Sequence, residues 1–187
     1  MGRIIDRRRV MGGKLPYDAE IEYLQGDKAS WINTEYYPTT TTEIEVKQYW
    51  DGDETSIWFA RVNASNTVGT WRNVLYMYAY YVQTSVSAQL NGVVYIGKGT
   101  AVAADGSTYT YTPPSTRYSI PIGLFGGYSG FAPSGSIIYY FKVWEDDALV
   151  LDLIPVRVGQ VGYMYDKVSK QLFGNNGTGA FILGPDK

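Results

Sequence analysis

Ile137-Ile138-Tyr139-Tyr140-Phe141-Lys142-Val143-Trp144, then Glu145-Asp146-Asp147, then Leu149-Val150-Leu151-Asp152-Leu153-Ile154-Pro155, is the stretch that decides the fold. Aromatic and β-branched residues dominate its first half, and these fit a pleated, half-buried surface. Strict alternation would put Ile137, Tyr139, Phe141 and Val143 on one face, with Tyr140 and Lys142 on the other. Asp146-Asp147 reads as a hairpin tip, because short polar side chains tolerate the left-handed backbone of tight turns. The second run is expected to stop at Pro155, which has no N–H to give to a neighbouring strand.

The same pattern extends in both directions. Glu43-Ile44-Glu45-Val46-Lys47 alternates charge with aliphatic, which places Ile44 and Val46 inside and the charges on a solvated face. Further strands are expected at Ala19 to Leu24, Trp31 to Thr34, Ser56 to Ala60, Val74 to Val82, Val93 to Ile96, Thr108 to Thr112 and Ile120 to Phe125. Asp105-Gly106 is a hairpin turn pair. No segment sustains a helical period. About ten to thirteen short strands separated by turn residues define an all-β chain, a two-sheet antiparallel β-sandwich.

Composition agrees with sheet. In 187 residues, 16% are aromatic, and 21 glycines supply turns. Histidine and cysteine are both absent, which removes Ser-His-Asp and Cys-His catalysis, His-ligated zinc, disulfides and thiolate metal sites. Nothing calls for a cofactor or a metal. No apolar run is long enough to span a bilayer, so no membrane partner is expected, and no secretory leader is evident.

Charge divides the chain into a basic N-terminal arm, residues 1–16, and a sandwich domain, residues 17–187. The first fourteen residues hold five basic groups and one acid, whereas the remainder holds 11 basic groups and 17 acids. Within the arm, Arg3, Arg7, Arg8 and Arg9 alternate with the apolar Ile4, Ile5 and Val10, which a merely solvating tail does not need. A protein-docking arm is therefore preferred over a solvated terminus, and phosphate neutralisation by nucleic acid ranks last.

Carboxylates are the remaining catalytic groups in quantity. Glu43-Ile44-Glu45 has the start of the Glu-x-Asp-x-x-Glu spacing that puts an acid and a nucleophile on one strand face, but Gln48 replaces the third carboxylate. Asp51-Gly52-Asp53-Glu54 is read as a surface turn in preference to a calcium loop. The aromatics Trp50, Trp58, Trp71, Tyr78, Tyr80 and Tyr81 are candidates for a glycan-stacking or interface surface, because aromatic residues between Tyr76 and Tyr81 fall on both faces of a strand.

Tyr139 to Trp144 with Leu149 to Arg157 resembles the final strands of concanavalin A-like (LamG-type) jelly-roll domains, common in gut Bacteroidetes and their phages. Gly162 to Phe181 is similar to the closing signature of that group, G-x-Y-D-x-V-S-x-x-x-F-x-N-x-G-T-G-x-F. Trp31-Ile32-Asn33-Thr34-Glu35 resembles its opening YIDTG pattern, with Trp31 for Tyr, Asn33 for Asp and Glu35 for Gly. The likeness covers about residues 19–184. It implies a jelly roll with neighbouring terminal strands, and no metal site carries over. On their own chemistry, Asn175-Asn176-Gly177 and Thr178-Gly179 are turn residues, and Tyr163, Tyr165, Phe173 and Phe181 are candidate core anchors.

The arm joined to such a body resembles virion proteins of Bacteroides-type phages. The resemblance implies a non-enzymatic structural or decorating protein on a capsid, partnered by capsid protein or by itself and assembled in the host cytoplasm. The alternative is a carbohydrate-binding module for host or mucosal glycans, at a bacterial cell surface or on a phage.

Overall fold

The computed structural model of the chain describes residues 15–49, 56–63, 66–71, 74–76, 90–113, 118–126 and 135–187. These residues form strands and no helix. In chain order the first strands are β1 (Ala19–Glu20), β2 (Leu24–Gln25), β3 (Ile32–Asn33), β4 (Glu43–Tyr49) and β5 (Ser56–Asn63). Next come β6 (Asn66–Trp71), β7 (Val74–Tyr76), β8 (Gly92–Gly97), β9 (Thr100–Val102) and β10 (Thr108–Thr110). The last are β11 (Gly123–Leu124), β12 (Ile137–Glu145), β13 (Ala148–Val158), β14 (Val161–Asp166), β15 (Leu172–Phe173) and β16 (Ile182–Leu183).

Two antiparallel sheets result. The larger runs β10-β9-β8-β4-β12-β13-β14-β15, with β1 added to β13 and β2 bridging β12 and β16. The smaller runs β3-β11-β5-β6-β7. One apolar cluster joins them: Ile44, Val46, Val94, Ile138, Phe141, Val143 and Leu153 of the large sheet share it with Ile32, Val68 and Leu124 of the small one. The two sheets thus close on a common core, as sandwich layers do. β2 and β16 lie side by side, Leu24 opposite Leu183, so both ends of the body meet.

Strict alternation fails in β12, and the reason is local. Ile138 faces Gln48 while Tyr140 faces Lys47, so Tyr139 is an extra, bulged residue. A bulge moves every later side chain to the opposite face. Ile138, Phe141 and Val143 are the buried residues, and Ile137 and Tyr139 are not on the core face. A second irregularity at Val143/Trp144 sets Val150 out of step with β12. Asp146 and Asp147 both have left-handed φ (48° and 64°), the conformation a two-residue hairpin requires.

β13 does not stop at Pro155. It continues to Val158, with Pro155 opposite Met164. Leu153 and earlier residues pair with β12, whereas Val156 and Arg157 pair with β1. Pro155 lies at that change of partner, where no N–H is required, and its carbonyl accepts the Ile21 N–H at 3.1 Å.

The outer face of this region carries its own apolar cluster of Tyr17, Ile154, Val156 and Tyr165, with the Tyr17 and Tyr165 rings edge-on at 4.9 Å. Of the expected core anchors, Phe173 and Phe181 join the central core and Tyr165 this outer cluster, while Tyr163 is half-buried against it.

Candidate functional site

Three groups of side chains form defined polar or aromatic arrangements. The first is the outer face of the large sheet. In β4, Ile44, Val46 and Gln48 are buried, so Lys47 and Tyr49 face outward. The Tyr139 bulge brings its ring beneath Lys47 Nζ, 4.8 Å from the centroid, and Tyr23 packs against it at 5.8 Å. Lys142 Nζ lies 5.2 Å from the Tyr140 centroid. Burial, reinforced by donation to Glu45, pushes the Tyr140 hydroxyl up to about 12. Cations over ring faces are attracted by the ring quadrupole, so charge and aromatic surface alternate here. Tyr49, 46% exposed, is the ring on this face most open to solvent.

The second group lies at the end of the sheet marked by the β12–β13 hairpin tip. Glu43 is buried, contrary to the solvated-face expectation. Tyr95 donates its hydroxyl to Glu43 Oε2, and Lys98 Nζ lies 3.2 Å from Oε1 while also pairing with Asp147. Burial and this donation raise the Tyr95 hydroxyl above its ordinary range. Gly97 makes the arrangement possible, because a Cβ there would stand 2.6 Å from both Glu43 Cγ and the Tyr95 hydroxyl. Beside it, the Glu145 carboxylate accepts hydroxyls from Tyr36, Thr39, Thr41 and Thr42. Burial pushes the Glu145 carboxyl up, but the four donors outweigh it and hold it below the ordinary carboxylate value. The threonine run is thus a hydroxyl cradle for one anion.

The third group is a clasp between the two ends of the body. Asn175 Oδ1 accepts the Trp31 and Gly177 N–H groups at 3.1 and 2.7 Å, and Asn176 Oδ1 accepts the Asn33 N–H at 2.9 Å. The Asn176 N–H reaches Trp31 O at 2.8 Å, and the Thr178 N–H reaches Ala29 O at 2.9 Å. Asp27 receives the Ala29 and Ala180 N–H groups at 2.9 and 2.6 Å. These donors outweigh burial and lower its carboxyl. Gly177 and Gly179 are close-approach positions: a Cβ would lie 2.0 Å from Ala29 O and 2.1 Å from Asp27 Oδ2 respectively. A related device holds the preceding turn, where buried Asp166 accepts the Asp152, Val168 and Ser169 N–H groups at 2.8, 3.1 and 2.8 Å.

Of the residues singled out from sequence, Arg3, Ile4, Ile5, Arg7, Arg8, Arg9 and Val10 lie outside the described residues, as do Trp50, Tyr78, Tyr80, Tyr81 and the Asp51 to Glu54 loop. Trp58 and Trp71 lie on the small sheet, Trp58 opposite Leu124 and Thr70, Trp71 opposite Ser56 and Val74. Gln48 points to the buried side of β4. Among the described residues, Tyr23, Tyr49, Tyr139 and Tyr140 form an aromatic row on the large sheet. Its only sequence signal was the excess of tyrosine, because a bulge brings Tyr139 into it. Asp27 and Glu145 were also missed, although four consecutive threonines near a strand end hint at an anion to satisfy. Among the described residues, no group of three or more carboxylates could hold a metal ion, and no helix is long and apolar enough to cross a membrane. No protein-family model matches the chain, and no curated protein or solved structure is found to match it either.

Proposed function

We propose that the chain is a non-enzymatic structural or decorating protein of a phage particle, a concanavalin A-like jelly roll docked on the capsid by its basic arm with the body facing outward. The observation that carries this reading is the root of the arm. Tyr17 seats on Ile154, Val156 and Tyr165. Asp18 donates its N–H to Arg157 O at 2.8 Å and accepts the Gly159 N–H at 2.7 Å. A tether moored at the Gly159 end of β13 leaves the Asp146-Asp147 tip at the other end of that eleven-residue strand, roughly 35 Å away.

Three further features favour the reading. Glu43, Glu145, Asp27 and Asp166 are engaged in holding the fold together. The terminal strands are neighbours. Glu35, which replaces the glycine of the resembled opening pattern, has φ 58°, the left-handed region that glycine prefers, and its N–H is received by Asn33 Oδ1 at 2.9 Å.

The test is particle association of the full chain and of a chain lacking residues 1–13. Loss of association in the shortened but folded chain is expected, and retained association refutes the docking role. A second reading, glycan binding, is favoured by exposed Tyr49 beside the Lys47–Tyr139 pair. Glycan-array binding that disappears in Tyr49→Ala would put this reading first.

A further inference from the structure

We infer that Asn176-Gly177 is a spontaneous deamidation site that the clasp holds closed, so that its conversion records opening of the clasp. In the reaction, the Gly177 backbone nitrogen loses its proton and attacks Asn176 Cγ. The bond from Cγ to the side-chain nitrogen breaks and ammonia leaves, giving a five-membered succinimide. Water then adds to either ring carbonyl and opens it to aspartate or isoaspartate, so one water enters and one ammonia departs. A following glycine favours ring closure because no Cβ obstructs the attacking nitrogen.

The fold opposes each requirement. The Gly177 N–H is donated to Asn175 Oδ1 at 2.7 Å, so the nucleophile is occupied. The Asn176 side chain is held through Oδ1 by the Asn33 N–H at 2.9 Å, and the Asn176 backbone N–H is held by Trp31 O at 2.8 Å. The Gly177 and Ala29 backbones are in close approach, with the Ala29 carbonyl oxygen in the space a Cβ would need. Asn176 is nevertheless solvent-exposed, so water and base reach it. Ring closure therefore requires the 174–181 segment to lift from Ala29 to Asn33, a local opening of the native state. Isoaspartate adds a backbone carbon, after which the Asn176 and Thr178 bonds to Trp31 and Ala29 cannot both re-form. The opening then becomes one-way.

The experiment incubates the full chain in mildly alkaline buffer, native and in denaturing urea, and follows Asn176 by peptide mapping; Asn91-Gly92 is resolved separately. Native conversion at Asn176 is expected to be at least ~10-fold slower than in urea, the factor an opening cost of about 1.4 kcal/mol imposes. Asn175→Ala, which frees the Gly177 N–H, is expected to accelerate conversion while the chain remains folded by circular dichroism. Asp27→Asn, which weakens the cap on Ala180, serves if Asn175→Ala does not fold. Equal rates in native and denatured wild type, or a folded variant no faster than wild type, would overturn the inference.

Discussion

Replacing Gly177 by Ala tests the clasp most directly. The added Cβ would stand 2.0 Å from Ala29 O, 3.0 Å from Ala29 C and 3.1 Å from Ser30 Cα, all backbone atoms that no side-chain rotation can move. Ordinary contact begins at 3.4 Å, so the segment must retreat by about 1.4 Å. That retreat stretches the 2.8 Å bond from the Asn176 N–H to Trp31 O and the 2.9 Å bond from the Thr178 N–H to Ala29 O beyond bonding reach. Overpacking costs about 1–3 kcal/mol, and each lost hydrogen bond about 0.5–1.5 kcal/mol. A destabilisation of about 2–6 kcal/mol follows, and in a chain of this size it lowers Tm by at least about 4 °C. Thermal melting by circular dichroism, with urea titration alongside, reads the effect. Thr178→Ala is the control, because the exposed Thr178 side chain makes none of these contacts, and it should stay within about 0.5 kcal/mol. A Gly177→Ala protein melting within about 2 °C of wild type would refute the close-approach argument.

Glu35→Gly should stabilise the protein by about 0.5–1 kcal/mol, since left-handed backbone costs a non-glycine residue more than glycine loses in entropy; a lower Tm would contradict this. Glu145→Gln should lower Tm at neutral pH but not in acid. The folded carboxyl is held below its unfolded value, so its contribution is complete above the unfolded value, about 4.3, and is lost as pH falls through the folded one. A Tm difference between variant and wild type that persists at about pH 2 would count against the hydroxyl cradle. Phe141→Ala removes a fully buried ring from the shared core and should cost about 3–5 kcal/mol by urea titration. A loss under about 1 kcal/mol would mean the two sheets do not depend on one core.

By itself, the sequence determined the all-β class, most strand positions and the turns at Asp105-Gly106 and Asp146-Asp147. Those properties are set by short-range chemistry, namely two-residue alternation, β-branched and aromatic preference, and side chains that accept left-handed backbone. It also marked Asn175 to Gly179 as turn chemistry, but not the segment's partner, because Ala29 and Trp31 lie more than 140 residues away in the chain. Tertiary structure alone decided which face of β12 is buried, since one bulged residue at Tyr139 reverses the alternation and is visible only against β4. The same holds for Pro155, tolerated because β13 changes partner beside it. It holds again for Glu43, drawn out of solvent because Tyr95 and Lys98 of the neighbouring strand and turn close over an acid that alternation assigns to water.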